Sequence, residues 1–499
     1  MHPRTPGRGH SNVAGGPPIA RYQQIALELI AAIERGVYRP AERFPSVRQS
    51  SRAFGVAVGT MLRVYGSLET QGLIQARPRS GYFVAVRGAP VRAEPERSAP
   101  AGSRAPVDVS DLVFTLLDET RRRAQVPFGS AFPDPQLFPF AALMRAATGA
   151  ARRLDPWSSV EDLPPGNREL RRWIAQRYRL GGGSVQPEEI LITNGALEAI
   201  NLCLQAVTRP GDTVAVESPT FYATLQAIER LRLRAIEIPT HARRGLDLPA
   251  LARVLRRTPV RACIAMTNFQ NPLGSLMPEA DKRALVQLLQ RHEVPLIEDD
   301  VYAELHHGEE RPRAAKHYDR GGWVLHCGSF AKCLAPGLRV GWCAAGRFHE
   351  RVQKLKVMTS IATSSLTQAT LVRYLRDHSF DRHLRGLRAR LLWQSQLFTR
   401  TLERAFPPGC RITRPQGGYL LWVQLPAGVD ALRLHELAQR EHIGIAPGPL
   451  FSARRQYRQF VRLNFGHAWS ERTEQALERL GGLVHELMFD AGRGPHGGA

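Results

Sequence analysis

The chain has 499 residues, of which 43% are hydrophobic and 23% are charged. This composition is that of a globular protein, and the length predicts two to four domains at roughly 100–200 residues each. No apolar run reaches the roughly 18 residues that a membrane-spanning helix needs, and the N-terminal sequence lacks the apolar segment of a secretory signal. We therefore expect a cytoplasmic protein without a membrane partner.

The formal net charge is +23, because 68 Lys and Arg residues stand against 45 Asp and Glu residues. Such an excess favours polyanionic partners, although a composition biased toward arginine produces the same charge. The basic residues are 63 Arg and only 5 Lys. Since Arg supplies positive charge equally well, each lysine that remains is a candidate for a role that requires a primary amine.

The six cysteines form no CxxC pair, and most of them lie in apolar sequence. This pattern is typical of buried thiols in a reducing compartment. No spacing of the zinc-finger type is present, so we expect no metal site.

Composition divides the chain into five segments. Residues 1–16 are rich in Gly, Pro and Arg and predict a disordered N-terminus, and residues 17–87 predict a compact unit. Residues 88–106 are rich in Pro, Ala and Arg and predict an extended linker. Residues 107–490 alternate apolar strand-like runs with amphipathic helical runs, which predicts an α/β domain with a mostly parallel sheet. Residues 491–499 predict a flexible tail.

The unit 17–87 has the layout of a winged helix-turn-helix. Apolar spacing predicts helices over about 18–36, 46–54 and 57–71, the second of them capped by Ser46. The sequences LIQA and YFV follow, separated by the turn RPRSG, and predict a hairpin. In this fold the third helix enters the DNA major groove and the hairpin lies along the backbone or minor groove.

The unit 17–87 carries ten Arg and four Glu residues, which suits a DNA-binding surface. Arginine reaches guanine edges or phosphates. The candidate DNA contacts on the second helix, the third helix and the wing are Arg48, Thr60, Arg63, Arg77 and Arg79. A small helical domain with solvated arginines is the alternative that this charge pattern leaves open.

The same unit resembles GntR-type winged-helix regulators along its length. The resemblance is carried by the motifs PSVR, T-x-x-R-x-Y, L-E-x-x-G-L-I and R-P-x-S-G-Y-x-V. One departure is that Ala57-Val58-Gly59-Thr60 stands where the family commonly has Ser-Arg-x-Thr. The resemblance implies the winged-helix fold and a double-stranded DNA partner.

The large domain contains polar and aromatic residues at the ends of predicted strands. In ILITNGALEAINL, the N–H groups of Gly195, Ala196 and Leu197 would point at an anion at a helix N-terminus. In ESPTFYATL, Phe221 would stack on a flat ring. A tight strand–helix turn and ordinary core packing are the alternative interpretations of these two motifs.

Three further residues follow apolar strands. Asn271 in TNFQNPLG can donate to a ligand in the crevice of the sheet. Asp299 in VPLIEDDVYAEL can hold a protonated ring nitrogen, and Tyr302 can bond a phenolate. A carboxylate run that caps a helix is the alternative for this last motif.

Two motifs contribute cations. In SFAKCLAPGLR, Lys332 can form a Schiff base with an aldehyde, while Ser329 and Arg339 can bond a phosphate. In QFVRLNFG, Arg462 lies in an apolar strand, and a buried arginine requires an anionic partner such as a substrate carboxylate.

In this order and spacing, the motifs resemble fold-type I pyridoxal-phosphate aminotransferases of the kynurenine/2-aminoadipate branch over about residues 125–485. The resemblance implies a smaller α+β C-terminal subdomain, pyridoxal 5'-phosphate as cofactor, Lys332 as its covalent anchor and Arg462 as the carboxylate ligand. It implies a ring-binding set of Phe221, Asn271, Asp299 and Tyr302. It implies a phosphate-binding set of Gly195, Ala196, Leu197, Ser329 and Arg339.

A GntR-type head, a Pro-rich linker and an aminotransferase-like body resemble the MocR-type chimeric regulators. The resemblance implies a homodimer and a body that senses the cofactor or a small amine or amino acid. The alternative is a working aminotransferase of the 2-aminoadipate/kynurenine type with an accessory DNA-binding head. The residues named above are compatible with both.

Overall fold

The computed structural model describes the chain with a few gaps, over residues 20–39, 42–77, 80–85, 92–120 and 125–492. The predicted N-terminal segment 1–16, the DNA contact Arg79, the start of the linker at 88–91 and most of the tail 491–499 lie outside the described residues.

The N-terminal head is built from three helices and a hairpin. Its elements are α1 (Arg21–Glu34), α2 (Val47–Ala53), α3 (Val58–Thr70), β1 (Ile74–Arg77) and β2 (Gly81–Val84). The two strands pair antiparallel. This arrangement confirms the predicted winged helix-turn-helix.

Local hydrogen bonds fix the geometry of the head. Ser46 caps α2: its Oγ accepts from the Gln49 N–H at 3.3 Å, and the Gln49 side chain accepts from the Ser46 N–H at 2.9 Å. The buried Tyr65 of α3 donates its hydroxyl proton to the Pro45 carbonyl at 2.6 Å and bonds the Ser50 hydroxyl at 2.8 Å. Tyr65 therefore ties α3 to α2.

The body follows as a succession of helices and strands. Its helices are α4 (Ser110–Thr120), α5 (Phe140–Ala151), α6 (Ser158–Glu161), α7 (Arg168–Leu180), α8 (Ala196–Val207), α9 (Tyr222–Arg230), α10 (Leu248–Arg257), α11 (Glu279–Arg291), α12 (His349–Ser360), α13 (Ser365–Asp377), α14 (Phe380–Ala405), α15 (Ala431–Arg440) and α16 (Glu471–Gly492). Its strands are β3 (Ile190–Thr193), β4 (Thr213–Ser218), β5 (Arg234–His241), β6 (Gly245–Leu246), β7 (Val260–Ala265), β8 (Leu296–Asp299), β9 (Val324–Ser329), β10 (Gly341–Ala344), β11 (Arg411–Ile412), β12 (Leu420–Gln424), β13 (Ala446–Pro447) and β14 (Phe460–Asn464).

The large sheet of the described chain has eight strands in the order β3-β10-β9-β8-β7-β4-β5-β6. Strands β9, β8, β7, β4 and β5 are parallel, and β10 runs antiparallel to both β9 and β3. The predicted mostly parallel sheet is thus confirmed. The carboxyl ends of its parallel strands lie at one edge, which is where open α/β sheets bind ligands.

A second, antiparallel sheet has the order β11-β12-β14-β13 and forms the smaller C-terminal subdomain with α15 and α16. The long helix α14 packs along α16. Within the described residues, none of the helices combines the length and apolarity needed to cross a membrane.

The linker is bound to the body from residue 92 onward, and we call residues 92–106 the strap. The Arg92 guanidinium donates to carbonyls at the C-terminal end of α14, including that of Glu403 at 3.0 Å. The Ser98 N–H donates to the Thr240 carbonyl at 3.1 Å, and its Oγ accepts from the Thr240 N–H at 2.8 Å and donates to the Ser218 carbonyl. Ala105 pairs with Ala235 of β5.

The head packs against helix α14 of the body. Trp393 and Leu397 of α14 join the apolar core of the head. Arg400, one turn further along, donates to the side chain of Gln71 at the end of α3. The docked head therefore has a defined contact surface on the body, formed by these residues of α14.

All six cysteines are buried, as the sequence predicted, and three of them meet. The Sγ atom of Cys203 lies 3.3 Å from that of Cys343 and 3.8 Å from that of Cys327. Burial in an apolar cluster raises the pKa of the Cys203 thiol. The pKa of the Cys343 thiol is lowered instead, because the thiols of Cys203 and Cys327 can donate to its sulfur.

Candidate functional site

The residues predicted from the body sequence gather at the carboxyl edge of the large sheet. Gly195 follows β3 and Phe221 follows β4. Asn271 lies in the connection after β7, Asp299 is the last residue of β8, and Lys332 follows β9. Residues that are more than a hundred positions apart are brought together because β4, β7, β8 and β9 are parallel neighbours in the sheet. Strand β3 joins the same sheet through the antiparallel β10 and so points in the same direction as β9.

Lys332 is the nucleophilic candidate. Its Nζ donates to the Ala131 carbonyl at 2.8 Å and lies 4.6 Å from the centroid of the Phe132 ring. Desolvation, together with the nearby charge of Arg462, lowers the pKa of Lys332 to about 7. A substantial fraction of the amine is therefore neutral at physiological pH, which is the form that attacks a carbonyl.

Asp299 has a carboxyl group that is almost fully enclosed. Burial, reinforced by the charge of Asp300, raises the pKa of Asp299 to about 7. Its Oδ1 is buried without a hydrogen-bond partner. Tyr302, three residues on, is also buried, and its ring centroid lies 5.4 Å from that of Tyr419.

Arg462 is fully buried and its charge is balanced by no carboxylate among the residues that the structure describes. It donates to the Asn271 Oδ1 at 3.3 Å and to the Gly129 carbonyl. Its Nε and the Asn271 Nδ2 are buried without partners. The protein thus supplies neutral acceptors to Arg462 where the sequence predicted an anionic partner, and the positive charge remains available to a bound carboxylate.

The predicted phosphate-binding set surrounds the start of α8. Gly195 has a left-handed φ of 83°, and Ala196 and Leu197 lie in the first helical turn, whose N–H groups have no intrahelical acceptor. A Cβ on Gly195 would lie 2.7 Å from the Arg339 guanidinium, so that cation packs directly against the turn. Together, the N–H groups and the guanidinium suit a phosphate group.

Ser329 is turned toward the backbone in this arrangement. Its hydroxyl donates to the Val340 carbonyl at 3.1 Å and accepts from the Ala331 N–H at 3.1 Å. These bonds fix the start of the segment that carries Lys332. A hydroxyl accepts two hydrogen bonds, so one lone pair of Ser329 is still free to accept.

The unpartnered polar atoms match the chemistry of pyridoxal 5'-phosphate. Buried polar atoms are normally hydrogen-bonded, yet Asn271 Nδ2, Asp299 Oδ1 and Arg462 Nε are not. The amide is a donor for a ring oxygen, the carboxylate is an acceptor for a protonated ring nitrogen, and the guanidinium suits an amino-acid carboxylate. The residues present therefore fit this group and an amino acid beside it.

Sequence reasoning missed the segment 129–132, which forms one wall of the site. The Ala131 carbonyl accepts from both Lys332 and the Tyr419 hydroxyl, the latter at 2.9 Å. Asn464 donates to the carbonyls of Ser130 and Phe132 at 2.9 and 2.8 Å. Apart from the Phe132 ring against Lys332, the segment acts through backbone carbonyl groups, for which side-chain chemistry in the sequence gives no signal.

A buried polar network beneath Asp299 was also missed. Asp300 accepts from the Asn268 amide at 2.8 Å and lies 3.1 Å from the His326 Nε2. The His326 Nδ1 is 2.6 Å from the Tyr178 hydroxyl, which accepts from the Trp342 indole at 3.1 Å. The second Asp of the EDD motif was the available signal in the sequence.

The candidate DNA contacts remain predictions. Arg48 and Arg63 are exposed, whereas Thr60 is half-buried. Arg77 is the last residue of β1, and its side chain is outside the described set, as is the whole of Arg79. Arg63 borders a crevice of about 630 Å³ between the head and the body, which Trp393 also lines.

Two family models match the chain. The model for aminotransferase class I and II matches residues 155–480, and the model for bacterial regulatory proteins of the gntR family matches residues 21–84. The chain belongs to the class I and II aminotransferase family and carries a GntR head, which is the architecture of MocR-type chimeric regulators.

Individual relatives place the whole chain among regulators. It is similar to the HTH-type transcriptional regulator YdcR of Escherichia coli, at 46% identity over 94% of this chain and all of YdcR. It is also similar to the 2-aminoadipate transaminase of Thermus thermophilus, at 31% identity over 76% of this chain and 95% of that enzyme. The crystal structure of the Thermus thermophilus alpha-aminoadipate aminotransferase LysN, complexed with N-(5'-phosphopyridoxyl)-L-leucine, matches 76% of this chain and 95% of that one at 29% identity and a TM-score of 0.69. The protein is an HTH-type transcriptional regulator with an aminotransferase-like domain.

Proposed function

We propose that this regulator binds pyridoxal 5'-phosphate at Lys332 and that its body senses either the cofactor or a small amine or amino acid. The observation that carries the proposal is the group of unpartnered buried atoms around Lys332, namely Asn271 Nδ2, Asp299 Oδ1 and Arg462 Nε. An aminotransferase fold alone does not require a working site, whereas these uncompensated groups are the donors and acceptors that such a cofactor and an amino acid would need.

The cofactor supplies an aldehyde with which primary amines condense. The residues of this chain bind and orient the cofactor and the amino acid. Lys332 presents an amine that is partly neutral at physiological pH, and Arg339 with the first turn of α8 neutralises the phosphate. Asp299 holds its carboxylate toward a ring nitrogen, and Arg462 receives the carboxylate of an amino acid. Phe221 stacks on the ring, while Asn271 and Tyr302 contact its oxygen.

The head is proposed to bind double-stranded DNA through Arg48, Thr60, Arg63, Arg77 and Arg79. The exposure of Arg48 and Arg63 supports this assignment. We propose a homodimer, because the site of this fold is completed at a subunit interface, and two heads would then read a bipartite operator. Sedimentation of the cofactor-bound protein at micromolar concentration tests this, and a monomer would contradict it.

The second candidate function is that of a working aminotransferase. The combination of Lys332 with an uncompensated Arg462 favours it, since a transaminase needs both an amine anchor and a carboxylate ligand. The two candidates differ in what the body does after an amine binds. A sensor changes DNA affinity with little turnover, whereas an enzyme turns over at roughly 1–10³ s⁻¹.

The test uses the full-length chain loaded with pyridoxal 5'-phosphate. We expect a visible absorption band that is lost in both Lys332→Ala and Lys332→Arg, because only a primary amine of suitable pKa forms the imine. Lys354→Arg is the matched control, since Lys354 is 70% exposed on α12. DNA affinity is then measured with and without cofactor and amino acids. Brisk turnover with unchanged DNA affinity would refute the regulatory proposal, and a band in Lys332→Arg would refute the site.

A further inference from the structure

A second cavity opens at the opposite edge of the large sheet from Lys332. It has a volume of about 260 Å³ and lies where β9 begins and β10 ends. The residues on its wall that matter here are Tyr178, Arg311, His317, Arg320, His326 and Arg347. The cavity therefore combines several cationic side chains with hydrogen-bonding aromatic ones.

The wall carries more positive than negative charge, although the carboxylate of Glu189 also lines it. Lys316 pairs with Asp319 at 2.9 Å, and Arg311 is engaged by Glu304 at 3.2 Å and Asp300 at 3.5 Å. Arg320 and Arg347 have no carboxylate within salt-bridge distance among the described residues. Two exposed guanidinium groups at the mouth of one cavity favour an anionic occupant.

Arg347 is held in place rather than free in solvent. Its guanidinium carbon lies 4.6 Å from the centroid of the Trp323 ring, a cation–π arrangement. The backbone N–H of Arg347 donates to the Gly322 carbonyl at 3.1 Å and fixes the main chain at this position. Because the Arg347 side chain is already restricted by Trp323, less conformational entropy is lost when an anion binds to it.

His317 contributes a neutral donor. Its Nδ1 is buried without a hydrogen-bond partner. Burial and the neighbouring Arg313 lower the pKa of His317, so the imidazole is neutral at physiological pH. A neutral ring carries one N–H, and the tautomer with the proton on Nδ1 would give that atom a donor role.

Glycines keep the facing wall open. A Cβ at Gly181 would lie 3.3 Å from the Arg311 guanidinium, and one at Gly182 would lie 3.1 Å from the His317 ring. Gly182 also has a left-handed φ of 77°. Side chains in this loop would crowd the two cavity residues.

We propose that this cavity binds a small dianion, either a phosphate monoester or a dicarboxylate. Arginine forks match the oxygen geometry of both groups, and a neutral histidine adds a donor without competing charge. The volume suits a compact metabolite rather than a nucleotide or a peptide. The proposal extends beyond the cofactor function and does not rest on it.

The floor of the cavity leads toward the cofactor site. His326 and Tyr178 line the cavity and bond each other at 2.6 Å. His326 also bonds Asp300, whose charge acts on the neighbouring Asp299. A dianion in the cavity therefore approaches the network that sets the protonation of Asp299, and linkage requires any such coupling to act in both directions.

The experiment measures binding of inorganic phosphate and of succinate by titration calorimetry. The full-length Arg339→Ala protein is used, so that the cofactor phosphate site is weakened. We expect Arg320→Ala/Arg347→Ala in this background to weaken binding of the preferred probe at least tenfold. Arg256→Ala/Arg257→Ala, which removes two exposed arginines from the end of α10, is the matched control and should leave binding unchanged.

A second readout is the fluorescence of Trp323, on which Arg347 lies. The preferred probe should change the emission, and Trp323→Phe should abolish that change while calorimetric binding persists. If the double variant does not fold, Arg347→Lys keeps the charge, loses the planar fork and should weaken binding severalfold. Tighter phosphate binding would identify a phosphate monoester, and tighter succinate binding a dicarboxylate. Equal binding by the double variant, or no binding of either probe at millimolar concentration, would overturn the proposal.

Discussion

Asp299 and Asp300 are consecutive in the chain, yet the pKa values of their carboxyl groups are shifted in opposite directions. Burial and the adjacent charge raise the pKa of Asp299 to about 7. Asp300 is equally buried, but its hydrogen bond to His326 and the nearby Arg311 outweigh burial and lower its pKa. Asp300 therefore favours its charged form within a structural network, whereas Asp299 titrates near neutral pH and lies at the candidate cofactor site.

This pairing predicts the effect of Asp300→Asn. Removing the neighbouring negative charge lowers the pKa of Asp299, so its titration midpoint should fall below about 7. Carbon-13 NMR of the aspartate carboxyl groups in the cofactor-free protein measures that midpoint. Asp377→Asn, at the exposed end of α13, is the control. An unchanged midpoint in Asp300→Asn would show that burial alone sets the value.

The pKa of Lys332 predicts how cofactor loading depends on pH. The neutral amine is the reactive form, so the loading rate of the cofactor-free protein should rise with pH through about 7 and level off above it. Arg462 contributes to the lowered pKa. Arg462→Met should therefore move the midpoint upward, whereas Arg462→Lys, which keeps the charge, should move it less. Stopped-flow absorbance measures these rates, and identical midpoints in the two variants would contradict the electrostatic explanation.

Gly341 predicts a steric effect on the phosphate-binding turn. A Cβ there would lie 2.6 Å from the Gly195 carbonyl carbon and 2.8 Å from the Ala196 nitrogen. Gly341→Ala should push this turn away at a cost of about 1–3 kcal/mol, seen as weaker cofactor binding and a lower melting temperature. Gly337→Ala is the control, because a Cβ at Gly337 meets no atom within 4 Å. Equal affinities in the two variants would place the cofactor phosphate elsewhere.

The head predicts a salt-dependent interaction with DNA. Arg48→Ala should cost ~1–3 kcal/mol at a cognate site if the side chain reads a base, and affinity should fall steeply with salt because phosphate contacts release counterions. Fluorescence anisotropy with an operator fragment measures both effects, with Arg256→Ala in the body as control. A chain lacking residues 1–106 that bound the operator as tightly as the whole protein would refute the assignment.

The rarity of lysine did not separate chemical roles from structural ones. Lys282 is buried and donates to the Asn268 side chain and the Arg313 carbonyl at 2.5 and 2.6 Å. Lys356 is buried against Glu198 at 2.8 Å. A compact ammonium fits such enclosed sites, so these lysines have a physical reason to persist that composition does not reveal.

Strand-end motifs made the architecture and the body site predictable, because strand polarity places such residues at one edge. The network of Tyr178, His326 and Asp300 was not predictable in the same way. Tyr178 and His326 are 148 residues apart and meet only after α7 packs on the sheet. Likewise, the segment 129–132 acts mainly through carbonyl groups, which every residue carries.

The strap limits how far the head could move from helix α14 if it undocked. With residues 92–106 fastened to the body, only residues 86–91 separate the last described residue of the head from the strap. At roughly 3.3–3.6 Å per residue, such a tether reaches no further than about 25 Å. A head confined to that radius has an effective concentration on the order of millimolar at its contact surface on α14. Weak contacts around Trp393 then suffice to keep the head docked, and added residues between 85 and 92 would weaken docking without altering either surface.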